Sequence, residues 1–331
     1  MITANIEPIK KQKHLCCPIC GSDKSEIIFR HARLANIKRT YATRDSRKKL
    51  ITNLDTSLCI DCGMLYRMPL MTSEELDRYY RDSYYMTYNV NTSSIKNRDE
   101  LTLWEKKYIK YFRFLERNKI SIKNKRVLDA GCGKGFFLAA AQKRGAGECV
   151  GIEPSSLCCQ KIDNKRYNFT ILNKCIKAVS CEQTGFFDLI VCIGVLEHLS
   201  EPLVDLKVCR SLMNENGYMY FYTHNETPSL FSEMRKRISL VHQLYFTTRT
   251  IEVLLKKVGM EIIDIVTRNT DMHILARKSS PAEPEYKLDK KSYRLLKLQY
   301  QINKNIPSQY FTVASWFYVK YLALRNRLLY I

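Results

Sequence analysis

Long apolar runs are missing from this sequence of 331 residues. The best run, residues 310–319, stops at Lys320, short of the about 20 residues that a membrane-spanning helix needs, so we expect no transmembrane helix. The N-terminal residues also lack the apolar core of a secretory signal. We therefore expect a cytoplasmic protein whose thiols stay reduced. The apolar (45%) and charged (26%) fractions are ordinary for globular proteins, which excludes a disordered chain.

Acidic residues are scarce at both ends of the chain. Residues 1–50 contain 12 Lys and Arg against 4 acids, and residues 290–331 contain 8 basic residues and no acid. Most of the net charge of +21 is therefore contributed by the two ends rather than by the middle. Basic ends of this kind favour polyanions or an anionic membrane surface as partners.

The sequence divides into four regions, and its length favours about two domains. Residues 1–90 form a basic module that contains cysteines, and residues 91–122 contain an amphipathic linking helix. Residues 123–280 alternate short apolar runs with helical patterns, which is typical of βαβ units. We predict an α/β, Rossmann-like domain here, with a mostly parallel sheet and helices on both faces. Residues 281–331 are predicted to form a basic helical tail.

Thirteen cysteines are present, and four of them form two Cys-x2-Cys pairs that are each followed by glycine. The pairs are Cys17 with Cys20 and Cys59 with Cys62. Each pair can present two thiolates to one tetrahedral ion, so the pattern predicts a Zn²⁺ site in a zinc ribbon. A redox pair or thiols packed in a small core are the alternatives. The remaining cysteines of the second half lie mostly on apolar runs and are predicted to be small core residues.

A glycine-rich loop follows the first predicted strand of residues 123–280. Asp129 precedes Gly131 and Gly133, and Glu153 ends the next predicted strand. Glycines let the backbone approach a ligand closely, and a carboxylate after the second strand can accept ribose hydroxyls. The third glycine comes two residues after the second, unlike the dinucleotide-binding pattern. Asp129 would repel a pyrophosphate and attract a sulfonium or an ammonium group.

The loop and the stretch FDLIVCIGVLEHL at residues 187–199 resemble class I S-adenosylmethionine-dependent methyltransferases. The resemblance covers about residues 100–278. It implies S-adenosylmethionine as the cofactor, with the glycines beside its methionine part and the carboxylates on its amino group and ribose. The cofactor-binding residues that it implies are Asp129, Gly131, Gly133, Glu153 and Ile193.

The cysteine pairs, together with residues 73–80 (SEELDRYY), make the resemblance more specific. This part is similar to the N-terminal region of zinc-ribbon methyltransferases, a group with sugar methyltransferases and members from bacterial polysaccharide loci. The resemblance implies a sugar, a glycan or another small molecule as the acceptor, methylated on oxygen or carbon.

Three histidines are located where acceptor-side residues are expected. His198 follows the fourth predicted strand, His224 ends the fifth, and His242 precedes a segment that covers the acceptor in similar enzymes. Histidine titrates near neutrality, so each is a candidate general base. Packing or helix capping is the alternative role for each. The remaining histidines are predicted bystanders: His14, His31 and His273.

Two other functions remain open at this point. An RNA methyltransferase with a zinc ribbon would use the positive charge for phosphate contacts, although no Asn/Asp-Pro-Pro-Tyr motif follows the fourth strand. Nucleic acid is therefore the less favoured partner. A non-catalytic binding module that holds zinc is the other alternative, and the intact glycine loop argues against it.

The tail suggests a further partner. Lys320 and Arg325 lie at the edges of an apolar stripe that forms when residues 310–331 are placed on a helix. The residues of this stripe are Tyr310, Val313, Ala314, Phe317, Tyr321, Leu324, Leu328 and Ile331. An apolar stripe edged by cations is typical of a helix that lies on an anionic membrane. We therefore expect either peripheral membrane contact or packing of this stripe on the protein itself.

Overall fold

The structure is a computed structural model, and the ranges that it describes are 16–29, 55–68, 70–72, 74–76, 80, 98–160, 167–226, 242–268, 270–282, 288 and 290–305. The strands are β1 (Ser25–Phe29), β2 (Asp55–Cys59), β3 (Leu65–Met68), β4 (Val127–Ala130), β5 (Cys149–Ile152), β6 (Thr170–Leu172), β7 (Phe187–Ile193), β8 (Met213–His224), β9 (Leu244–Tyr245), β10 (Met260–Arg268) and β11 (Asp271–Lys278). The helices are α1 (Arg98–Arg117), α2 (Phe136–Lys143), α3 (Ser156–Cys159), α4 (Cys181–Thr184), α5 (Pro202–Ser211), α6 (Thr248–Lys257) and α7 (Lys290–Asn305).

The larger sheet has seven strands in the order β10-β11-β8-β7-β4-β5-β6. Strands β4 to β8 are parallel to one another, and β11 is antiparallel to both β8 and β10. Its central strands are continuous apolar runs because both faces are covered. One core contains residues of α5 and α6, and the other contains residues of α1 and α2. This arrangement confirms the predicted Rossmann-like α/β fold.

Helix α6 illustrates how local sequence sets an element. The Thr247 side chain accepts a hydrogen bond from the Thr250 backbone N–H, and Thr250 Oγ1 accepts one in return, which forms a capping box. Gly259 follows the helix with a φ of +73° and donates to the carbonyl of Lys256. Local hydrogen bonds therefore fix both ends of this helix.

The carboxyl ends of the parallel strands form one edge of the sheet, and the residues of the predicted site lie at this edge. β4, β5, β7 and β8 run in the same direction, so their carboxyl ends meet at this edge. The terminal residues of these strands are Ala130, Ile152, Ile193 and His224. Ligands of open α/β sheets bind in the crevice outside such strand ends.

The smaller sheet is antiparallel and has the order β1-β2-β3-β9. Its last strand, β9, comes from within residues 123–280 and pairs with β3. Cys17, Met64 and Tyr66 belong to the same core as residues of β4 and β7. The N-terminal module is therefore built together with the larger domain, a contact that the separate boundaries in the sequence did not suggest. The boundaries themselves stay a prediction.

Helix α7 packs on the smaller sheet. Tyr300 is fully buried and makes an edge contact with Phe29, with ring centroids 6.3 Å apart. Lys297 Nζ donates to Glu26 Oε1 at 2.9 Å, and the Tyr293 hydroxyl donates to the same carboxylate. This part of the predicted tail thus contacts the protein. The apolar stripe of residues 310–331 lies outside the described residues, so its membrane contact stays a prediction. In the part of the chain that the structure describes, no helix combines the length and the apolar character needed to span a bilayer.

Candidate cofactor and acceptor site

The glycine loop connects β4 to α2 and leaves space on one side. Gly131 and Gly133 both have positive φ, +92° and +53°, a region that side chains with a Cβ rarely adopt. A Cβ on Gly131 would lie 2.4 Å from Val195 Cγ2, so the loop touches the segment after β7. A Cβ on Gly133 would have no described atom within 4 Å. The space beside the backbone of Gly133 is therefore open.

Glu153 is buried beside this loop and is held by backbone donors. Its Oε2 accepts a hydrogen bond from Gly133 N at 2.9 Å, and its Oε1 accepts one from Ser155 N at 2.8 Å. Burial raises the pKa of Glu153 to about 7, although these two hydrogen bonds act in the opposite direction. The carboxylate thus fixes the loop geometry directly.

Asp129 is a second buried carboxyl group at the same strand ends. Its Oδ1 has no hydrogen-bond partner among the described residues. Burial, with a further contribution from the charge of Glu153, raises the pKa of Asp129 to about 8. A buried ionised carboxylate needs a counter-charge. Asp129 and Glu153 together therefore suit a cationic ligand. S-adenosylmethionine has a sulfonium and an ammonium group, and it fits a site with these two carboxyl groups.

The structure brings the predicted cofactor residues to one end of the sheet. Ile193 ends β7 and is partly buried against the core that contains α1 and α2. Together with the loop and the two carboxyl groups it borders the crevice at the strand ends. Their roles in cofactor binding stay a prediction.

The three predicted acceptor-side histidines meet at the ends of β7 and β8. The ring centroids of His198 and His242 are 4.7 Å apart, and those of His224 and His242 are 6.0 Å apart. Tyr80 makes an edge contact with His198 at 6.3 Å. Nδ1 of His224 is buried and has no hydrogen-bond partner in the described part of the chain. We call these three side chains the histidine cluster.

Glu197 lies directly below the histidine cluster. It is 4% exposed, and its Oε2 accepts a hydrogen bond from Thr223 Oγ1 at 2.8 Å. Candidate ligand atoms of Glu197, His198 and His242 lie within 4.8 Å of one another, so these residues could also hold a metal ion. The hydrogen bond from Thr223 holds this carboxylate beside the cluster.

Sequence reasoning missed a polar group at the same edge of the sheet. Lys110 Nζ on α1 donates to Asp271 Oδ2 at 2.8 Å and to the Tyr222 hydroxyl at 3.1 Å. The Tyr222 hydroxyl donates to Asp271 Oδ1 at 2.8 Å. Burial alone would raise the pKa of Asp271, but the hydrogen bonds from Lys110 and Tyr222 outweigh it and lower the pKa. No motif signals this group, because its members come from three distant segments.

His273 was predicted to be a bystander, and it lies in the core beside this group. Its Nδ1 is 2.8 Å from the Tyr220 hydroxyl. Burial lowers the pKa of His273 to about 4, so the ring is neutral at neutral pH. Its ring contacts Tyr222, which lies between it and His224 of the histidine cluster.

The four paired cysteines form a compact cluster in the N-terminal module. Cys17 Sγ is 3.6 Å from Cys62 Sγ, and Cys20 Sγ is 3.5 Å from Cys59 Sγ. All four sulfur atoms lie within 4.8 Å of one another, and all thirteen cysteines are free thiols. Sulfurs around a tetrahedral zinc ion, with bonds of about 2.3 Å, are roughly 3.8 Å apart. The cluster therefore fits one such ion.

The thiols of this cluster also influence one another electrostatically. Hydrogen bonding, with Cys17 first, lowers the pKa values of Cys20 and Cys59. Hydrogen bonding with the other thiols raises that of Cys62. Four adjacent thiols cannot all ionise unless a cation lies between them, and a divalent metal ion is such a cation.

Comparison with known proteins agrees with this geometry. Residues 103–265 match the family described as "Methyltransferase domain". The chain is 27% identical over 117 residues to a ubiquinone biosynthesis O-methyltransferase of Xanthomonas campestris, which covers 34% of this chain and 49% of the relative. It is 28% identical over 171 residues to the Vibrio campbellii protein of the same name, which covers 50% of this chain and 72% of the relative. The chain thus spans about half the length of the first of these relatives.

Solved structures of similar fold include an S-adenosylmethionine-dependent methyltransferase from Listeria monocytogenes, at 18% identity and a TM-score of 0.44 over 54% of this chain and all of that one (100%). Magnesium protoporphyrin IX methyltransferase from Synechocystis is another, at 16% identity and a TM-score of 0.44, over 61% of this chain and 97% of that one. The family match and the sheet together identify this part of the chain as a class I S-adenosylmethionine-dependent methyltransferase domain. The class predicted from the sequence is confirmed.

Proposed function

We propose that this chain transfers a methyl group from S-adenosylmethionine to an oxygen atom of a small-molecule acceptor, with a sugar or glycan hydroxyl as the preferred class. The observation that carries the proposal is the histidine cluster at the ends of β7 and β8, next to the glycine loop. The contact of Gly131 with Val195 joins the two sides of the crevice. The names of the relatives support oxygen as the methylated atom.

In the proposed chemistry, the protein aligns the acceptor hydroxyl with the methyl group and removes the hydroxyl proton. When bound, S-adenosylmethionine supplies a methyl group on a sulfonium. A ring nitrogen of His198 or His242 would take the proton of the acceptor hydroxyl. The methyl group would pass from sulfur to the hydroxyl oxygen, its bond to sulfur would break, and S-adenosylhomocysteine would leave. Positioning of this kind can supply about 7–11 kcal/mol, and a general base adds about 10²–10⁴ in rate. Asp129 and Glu153 would hold the cofactor, and His224 would contact the acceptor.

We also propose that Cys17, Cys20, Cys59 and Cys62 bind one structural zinc ion. The sulfur spacing supports a tetrahedral site in which all four positions are protein ligands. A closed site of this type contributes to folding and leaves no position for a substrate. The zinc ion would therefore stabilise the module and take no part in methyl transfer.

Methyl transfer is tested with purified protein and S-adenosylmethionine that carries a labelled methyl group. The acceptors are nucleotide sugars, free oligosaccharides, simple phenols and total RNA, each in a separate reaction. We expect S-adenosylhomocysteine to form and the label to enter a low-mass product that resists alkali, as a methyl ether does. Label in RNA would replace this proposal by the RNA alternative, and absence of transfer to every acceptor class would contradict it.

The base is tested by replacing each histidine of the cluster. We expect His198→Gln or His242→Gln to lower turnover by about 10²–10⁴, because proton removal is lost. Cofactor affinity should stay within threefold, and His14→Gln serves as the matched control. Normal turnover in all three variants, including His224→Gln, would exclude a histidine base.

A further inference from the structure

Gln243 links the cysteine module to the histidine cluster. It is fully buried and is the residue between His242 and β9. Its backbone N–H donates to the carbonyl of Glu197 at 2.8 Å, and its backbone carbonyl accepts from Arg67 N at 2.8 Å. The residue therefore joins the 3₁₀ turn at Leu196–His198 to strand β3.

The side chain of Gln243 makes the same connection a second time. Its Oε1 accepts a hydrogen bond from the backbone N–H of Met71, and its Nε2 donates to the carbonyl of His198 at 3.2 Å. The oxygen of the side-chain amide thus bonds to the cysteine module, and its nitrogen bonds to the turn that contains His198. Only a primary amide can donate and accept at this length, since a carboxylate only accepts and an aliphatic chain does neither.

This junction continues toward the cysteines. Strand β3 pairs with β2, which ends at Cys59, and with β9, which follows Gln243. The N–H of Cys59 donates to the carbonyl of Met64 at 2.8 Å. An unbroken series of backbone hydrogen bonds therefore leads from the cysteine cluster to the residue beside His242.

We propose that Gln243 is a positioning residue that holds His198 and His242 in register with the cysteine module. It sets the spacing of the two rings without touching the acceptor or the cofactor. Through Gln243, the smaller sheet thereby fixes the positions of the His198 and His242 rings on the acceptor side of the crevice. The effect on turnover rests on the proposed function, whereas the effect on ring positions does not.

The test replaces Gln243 by Met, which keeps the length and removes both side-chain hydrogen bonds. Gln243→Glu keeps the volume and the accepting oxygen, and is the second variant should Gln243→Met fail to fold. Tyr293→Phe is the matched control, because it removes a hydrogen bond between α7 and the module on the side away from the histidines. Thermal unfolding establishes that each variant is folded.

The first readout is the NMR spectrum of the histidine rings, recorded without acceptor. The chain has six histidines, and single His→Gln variants assign their signals. We expect the His198 and His242 signals to move both in Gln243→Met and in Gln243→Glu. The His273 signal should stay in place, and Tyr293→Phe should leave all of them unchanged. Unmoved His198 and His242 signals in a folded Gln243 variant would overturn the proposal.

The second readout separates cofactor binding from turnover. We expect the affinity of Gln243→Met for S-adenosylmethionine to stay within threefold, while turnover with the acceptor falls up to about 100-fold through misplacement of the rings. A parallel loss of affinity would indicate a general structural defect and would contradict a positioning role. If no acceptor is found, the proposed function fails, and the ring signals still decide the role of Gln243.

Discussion

The cysteine module and the cofactor half of this protein are held together by different means. The module has short strands, and its four thiols lie 3.5–3.6 Å apart in pairs next to a shared core. The cofactor half has a seven-stranded sheet whose central strands are buried on both faces. We infer that the module depends on a zinc ion for folding, whereas the sheet under the cofactor loop is also packed against α1 and α2 on its other face.

The largest expected effect is the unfolding of the cysteine module when one of its four cysteines is replaced. Cys59→Ser removes one of four thiolates, and zinc binding contributes about 10–16 kcal/mol of folding free energy in small zinc modules. We expect the variant to lose its zinc and the module to unfold, measured as metal content per chain and as loss of hydrogen-exchange protection in β2 and β3. Affinity for S-adenosylmethionine should fall only a few-fold.

Cys16→Ser is the control for this experiment. Cys16 is exposed and adjacent to Cys17, but it lies outside the four-sulfur cluster. This variant should keep about one zinc ion per chain. Full zinc content in Cys59→Ser would contradict the zinc assignment and remove the proposed contrast between the two regions.

The second effect breaks the cofactor loop and leaves the fold intact. Glu153→Ala removes the acceptor for two backbone N–H groups and, by the proposed role, for the ribose. We expect a loss of about 1.5–3 kcal/mol in binding, which is about 10- to 150-fold in affinity. Gly133→Val would place a branched side chain in the open space of the loop at a positive φ and should weaken binding at least as much.

Calorimetry with S-adenosylmethionine measures both variants. Gly145→Ala is the matched control, because Gly145 also has a positive φ, +82°, but follows α2 away from the strand ends. It should cost some stability and leave the affinity unchanged. Unchanged affinity in Glu153→Ala and Gly133→Val would locate the cofactor elsewhere.

A change of pH tests the two buried carboxyl groups of the cofactor half. The pKa values of Asp129 and Glu153 are raised to about 8 and about 7, so both groups hold protons at pH 6 in the free protein. A cationic ligand favours their ionised forms, and binding should release protons. Affinity should therefore rise from about pH 6 to about pH 8, by at most about tenfold per pH unit for each proton released.

The same shifts fix the sign of the stability change. Both raised carboxyl pKa values mean that the unfolded chain loses these protons at lower pH than the folded chain does. The free protein should therefore lose stability as pH rises from about 4 to about 8. Asp129→Asn should flatten both trends, and denaturant unfolding with and without the cofactor measures them. An affinity that does not depend on pH would argue against ionisation of these groups on binding.

Local sequence was enough to predict the elements and the motifs. The glycine loop, the acid after β5 and the two cysteine pairs are patterns of residues close together in the chain, and their spacing carries the chemistry. Periodicity predicted an amphipathic helix within residues 91–122, and α1 lies there. For these features, short-range geometry decides the outcome.

Tertiary structure decided which of these elements meet. Nothing in the sequence places Leu244–Tyr245 on the smaller sheet, joins Lys110 to Asp271, or makes Gln243 a bridge between Met71 and His198. Strand pairing and buried hydrogen bonds between distant segments leave no periodic signal, because each partner alone resembles an ordinary polar residue. The sequence by itself therefore determined the class of domain and its candidate ligands, and only the folded chain fixed how the cysteine module supports the acceptor side.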